Sequence, residues 1–176
     1  ATLEALGNIG SNAAIEPISN TYERYPFARI MAIEALGKIG GNSVQIFLVK
    51  KFKEALTVQN ADGVYLFALL DAMGIVGDDE TLEILLANYE NIKEHLRNVL
   101  LHEMVQIIER CNLEFQFDDK VKDDLLHALR SDNQHIQLSA AKGLVQFEDR
   151  DVTKALLLSL GISEELDFVV IVQMSG

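Results

Sequence analysis

Hydrophobic positions along the chain follow two kinds of helical stripe. From Phe27 to Ile39, Ala28, Ile30, Met31, Ile33, Ala35, Leu36 and Ile39 wrap most of a helical circumference, leaving Arg29, Glu34 and Lys38 as a narrow polar stripe. A helix this apolar must be covered on several sides, by its own partner and by neighbouring helices. Val44 to Leu56 instead interleaves Val44, Phe47, Leu48 and Phe52 with Lys50, Lys51, Lys53 and Glu54, the pattern of a helix half in water. Thr81–Tyr89 and Val121–Leu129 repeat that second pattern. Phe168–Val172 is the one β-branched run that leaves strand and helix both open, and it is far too short to span a bilayer.

The alternation has a written landmark. "EALGNIGSN" (Glu4 to Asn12) returns as "EALGKIGGN" (Glu34 to Asn42), then more weakly as Ala72-Met73-Gly74-Ile75-Val76-Gly77 and faintly from Gly143 to Glu148. Spacings of roughly 30 to 38 residues are those of helical-hairpin repeats. Small residues such as Ala32, Ala35 and Gly37 allow backbones to approach closely. Gly10 and Gly40 are expected to end a helix in the left-handed conformation, with Asn12, Asn42 and Asp79 as N-caps of the helix that follows. The motif therefore reads as a hairpin corner. Pro17, inside a second helix, is expected to cost one hydrogen bond and bend the axis. "CNLEFQFDDK" (Cys111 to Lys120) reads as a longer loop. The predicted layout is a single array of helix pairs near 1–24, 26–57, 62–91, 93–130 and 132–160, with a terminal helix near 163–174.

These residues resemble HEAT repeats, specifically the bacterial HEAT-like type of phycobilisome bilin lyases (PBS lyase type). The resemblance rests on "LEALGNIGSNAAIEPI", "ARIMAIEALGKIGGNSVQIFLVKKF", "FALLDAMGIVGDDETLEILLANY" and "HIQLSAAKGLVQFEDRDVTKALLLSL", about nine-tenths of the chain. It implies an all-α fold, a right-handed α-α superhelix of about five hairpins, with second helices lining a concave face. It says little about activity, since such arrays carry many functions. "ATLEALGNIG" reads as the end half of a helix and "EELDFVVIVQMSG" ends apolar. The expectation is a fragment of a longer protein, whose uncapped ends could associate end to end.

Composition narrows the function. Fifteen basic against 27 acidic residues give a formal charge of −12, which disfavours nucleic acid and anionic membranes and fits a basic or neutral protein partner. Apolar residues make up 49%, enough for a sizeable core. One cysteine, Cys111, permits no intrachain disulfide, and a cytoplasmic setting is expected.

Candidate chemistry is thin. HEAT-repeat deoxyhypusine hydroxylases hold iron with one His-Glu dyad per repeat. Here the matching places carry Ile30-Met31, Phe67-Ala68 and Leu138-Ser139, and His102-Glu103 lies three or four residues past its own. One dyad supplies too few ligands, so no metal or cofactor is expected; one of its residues should fill the polar stripe that Asp71 fills in the third unit. His95 and His102 stand about 10 Å apart along a helix, too far for one ion. His127 and His135 flank a turn, and Cys111 has no histidine at a spacing that suggests a nucleophile–base pair. Lys50, Lys51 and Lys53 are expected to pair with Glu80, Glu83 and Glu90. Tyr22, Tyr25 and Phe27 read as core staples or a corner patch. The expected function is a non-catalytic protein-interaction scaffold, contacting its partner through Gln45, Lys50, Glu54, Glu80, Glu83, Asn88, Lys120, Asp124, His127 and Lys154. The alternative is a component of a HEAT-repeat enzyme, such as a bilin-lyase-like subunit, with its catalytic residues elsewhere.

Overall fold

The computed structural model describes residues 2–58, 62–147 and 149–159. Among them the chain is all-helical, with α1 (Thr2–Ile9), α2 (Ile15–Arg24), α3 (Arg29–Ile39), α4 (Asn42–Leu56), α5 (Gly63–Val76), α6 (Asp79–Ala87), α7 (Glu94–Cys111), α8 (Asp119–Ala128), α9 (Gln134–Leu144) and α10 (Arg150–Ser159). Short 3₁₀ turns precede α2 and α3 and follow α6. The expected terminal helix at 163–174 and the ambiguous run Phe168–Val172 lie outside the described residues. The chain divides into two compact units, Ala1–Glu114 and Phe115–Gly176, so α7 closes the first and α8 opens the second. No described helix is long and apolar enough to cross a membrane.

In the first unit α1, α3, α5 and α7 pack one on the next, while α2 packs on α3, α4 on α5 and α6 on α7. α2 and α4 thus each cover the apolar helix that follows, and α6 covers the longer, more polar α7. α5, touched by α3, α4 and α7, buries Leu66, Leu69, Leu70 and Met73, which is why its sequence has almost no polar side.

The repeated Ala-Leu-Gly sets the spacing of this row. A Cβ placed on Gly7 would lie 2.9 Å from Ala35 Cα, and one on Gly37 would lie 3.1 Å from Ala72 Cβ. The glycine of one unit faces the alanine of the next, and the residue between alanine and glycine within a unit, Leu36 or Met73, is fully buried. At Gly7 an added methyl would force the neighbouring backbone to shift, and at Gly37 it would press on Ala72 inside ordinary contact distance. Carried one step further, the register sets Gly74 against Glu103, whose carboxylate a Gly74 side chain would overlap.

Two corners form as the motif predicts. Gly10 and Gly40 adopt φ of 67° and 72°, and the Gly40 N–H donates to Leu36 O at 2.9 Å. The caps differ from expectation. Gly41 (φ 87°), not Asn42, precedes α4, and Ser11, not Asn12, begins the turn before α2, neither with a side-chain cap. At the third corner the chain is extended through Gly77 (φ −66°), and Asp78, not Asp79, caps the helix, accepting the Thr81 N–H at 3.1 Å, so α6 starts at Asp79, one residue earlier than expected. Pro17 sits in the first turn of α2, where its missing N–H has no helical acceptor to lose, so the expected cost does not arise.

In the second unit α8 packs on α9. Asp118 caps α8, Asn133 caps α9, and Asp149 accepts the Val152 N–H at 2.8 Å at the start of α10. The expected Cys111–Lys120 loop is shorter than read: α7 runs through Cys111, Asn112 stops it in the left-handed region, and α8 begins at Asp119. Gln146 holds the approach to α8, accepting Phe117 N–H at 2.5 Å and donating to Gly143 O at 2.7 Å.

Candidate functional site

The buried positions of α4, Val44, Leu48, Lys51, Phe52 and Ala55, fix which way the helix faces. Ile46, Val49, Lys50 and Lys53, at helical spacing on the other side, therefore look outward over α6. Together with Asn42, Gln45, Glu54, Glu80, Thr81 and Ile84 they line a groove of about 420 Å³ between the two helices. Ile46 is 62% exposed despite its apolar side chain. The lining combines three aliphatic residues (Ile46, Val49 and Ile84) with Lys50 and Lys53 of α4 and Glu80 of α6.

The groove gathers four of the ten expected contact residues: Gln45, Lys50, Glu54 and Glu80. Gln45 is already engaged, donating to Asp78 Oδ1 and, at 2.9 Å, to Thr81 Oγ1, so it ties α4 to the start of α6. Glu83 is exposed on α6, and Asn88, just past its end, donates to Ile84 O at 2.8 Å. Lys120, Asp124 and His127 lie on α8 and Lys154 on α10, in the second unit, where Lys120, His127 and Lys154 are exposed and Asp124 is half-buried. Ile46, Val49, Lys53 and Ile84 were missed. Their signal was present for Ile46, an aliphatic residue in line with lysines rather than with Val44 and Leu48.

The lysine cluster does not pair with α6 as expected. Lys51 turns inward, 6% exposed, and bonds Glu23 at 2.7 Å and Glu54 at 3.0 Å, while exposed Lys50 lies 3.9 Å from Glu54. Its place on the buried stripe of α4 points it at α2, away from Glu80, Glu83 and Glu90. The Lys51 ammonium also sits 5.2 Å from the Tyr22 ring centre and 5.6 Å from that of Phe47. Burial pulls its pKa down, but the two carboxylates outweigh burial and leave it above the ordinary value. It is a fixed cation, unsuited to act as a nucleophile. Tyr22 and Tyr65 share a hydroxyl hydrogen bond beside it, and burial raises both pKa values. These residues, with Arg29 over the Tyr22 face, line a cavity of about 460 Å³. Of the aromatic trio, Tyr22 is a buried staple, whereas Tyr25 and Phe27 pair at 5.7 Å on the surface with Phe27 81% exposed.

At the other sequence candidates, His102 takes the register position of Asp71, as expected for the polar stripe, and Glu103 takes that of buried Ala72. Burial first, and the charge of Asp71 second, raise the Glu103 pKa to about 8. Cys111 Sγ lies 3.8 Å from Gly77 O and 3.6 Å from Arg110, whose guanidinium caps the end of α5 through Gly74 O (3.0 Å) and Gly77 O (2.5 Å). Among the described residues no three His, Cys, Asp or Glu side chains converge on a metal position. Comparison of the sequence with family models and with curated proteins returns no match.

Proposed function

We propose that the chain is a HEAT-like, non-catalytic scaffold that binds a protein partner along its second helices, which line the concave face of a right-handed superhelix. The α4–α6 groove carries the reading: aliphatic residues lining it beside charged ones, with Ile46 exposed, suit a protein surface, where apolar contact supplies affinity and charge selects the partner. The alternation of apolar and amphipathic helices, with glycine–alanine contacts at the first two steps of the row, supports the repeat assignment. Affinity capture from source-cell extract, run in parallel with wild-type chain and with Ile46→Asp, tests it. The expected result is a protein retained by the wild type and lost from the variant at unchanged thermal stability. Equal retention by both, or none by either, refutes it.

A further inference from the structure

The row of apolar helices repeats one contact, glycine against alanine, at Gly7–Ala35 and Gly37–Ala72. At its third step the alanine is replaced by Glu103. Its Cδ would lie 2.7 Å from a Cβ on Gly74, so the carboxyl rests directly on the glycine backbone, and the residue is only 6% exposed. The helix-to-helix seat that elsewhere holds a methyl here holds an ionisable group.

We infer that the α5–α7 contact is a pH-responsive joint: with Glu103 protonated α7 seats closely over Gly74, and loss of that proton drives the two helices apart. A neutral carboxyl tolerates the seat, whereas a carboxylate must regain solvent or a counter-charge. Burial and a neighbouring charge of like sign both oppose the carboxylate. On α5 the titratable group acting on Glu103 is Asp71, of like charge. On α6, the other helix packed on α7, Asp79, Glu80 and Glu83 are acidic and exposed. On α7, His102 adjoins it in sequence, and Arg110 is held by the carbonyls of Gly74 and Gly77. The raised pKa of about 8 places the change just above neutrality. Because the folded state holds this proton more tightly than the unfolded chain, the stability it contributes is complete below 4.5 and is lost as pH rises to about 8.

Carbon-13 titration of the Glu103 carboxyl in the intact chain, with hydrogen-exchange protection of α7 corrected for intrinsic rate, tests the joint. Wild type should titrate several units above an ordinary glutamate and lose α7 protection by at least tenfold between pH 6 and pH 9. Glu103→Gln should keep its protection, and Asp71→Asn should shift the titration to lower pH. A carboxyl titrating near 4.5, or parallel loss of protection in wild type and Glu103→Gln, overturns the proposal. Should Glu103→Gln fail to fold, the comparison of wild type with Asp71→Asn decides: the pH at which α7 protection is lost must move down together with the carboxyl titration, and protection that does not follow the titration overturns the proposal.

Discussion

Moving a single methyl across the α3–α5 contact tests the packing scheme directly. In Gly37→Ala the new Cβ meets Ala72 Cβ at 3.1 Å and Ala72 Cα at 3.3 Å, inside ordinary van der Waals distance. Overpacking of this kind costs about 2 kcal/mol, and the alanine recovers about 1 kcal/mol of helix propensity, leaving a net loss of about 1 kcal/mol. Ala72→Gly gives up about 1 kcal/mol of propensity and about 0.8 kcal/mol for the buried methyl, a loss of roughly 2 kcal/mol. In the double variant the methyl has changed helices. The propensity changes cancel, the clash and the void largely vanish, and about 1 kcal/mol of destabilisation should remain. The coupling energy is thus about −2 kcal/mol. Urea unfolding of the four proteins measures it, provided the m-values agree. If Gly37→Ala gains its full propensity, or if the two single losses simply add, α3 and α5 are not in the contact described.

Three further predictions follow from other parts of the first unit. Phe52→Ala, at a fully buried position of α4, should cost about 3–5 kcal/mol by urea unfolding, and a loss below 1 kcal/mol would contradict its place in the core. Lys51→Ala should destabilise by about 1–3 kcal/mol through lost packing on Tyr22 and Phe47, whereas Lys50→Ala should stay within about 0.5 kcal/mol; equal effects would show that the wrong lysine is buried. Gln45→Ala removes the hydrogen bonds to Asp78 and to the buried Thr81 hydroxyl and should cost about 1–2 kcal/mol, with faster hydrogen exchange at the start of α6 as the local signature.

Helix positions were legible because their causes are local. The 3.6-residue stripe through Ala28–Ile39 and the glycines at 10 and 40 specify where helices run and stop. The burial of Lys51 was also written, since it shares the spacing of Val44, Leu48 and Ala55, but its neighbouring lysines suggested one exposed cluster. Two features were hidden for a different reason. The Glu103 seat becomes visible only once Gly74 is known to face it, and the α4–α6 groove depends on which helices are neighbours in space. The capping errors at Asn12, Asn42 and Asp79 are one-residue shifts, to Ser11, to Gly41 and to Asp78, the scale on which a pattern of residue types does not locate a helix start.

Because α2, α4 and α6 each lie chiefly on the helix that follows, the first unit is shingled like roof tiles. Trimming the chain at 24–26 or between α4 and α5 therefore cuts through the α2–α3 or α4–α5 overlap and strips the cover from the new leading helix. A trimmed or lengthened version should instead be joined at the glycine corners, inside a hairpin, where the α3–α4 contact is slight and the chain already turns.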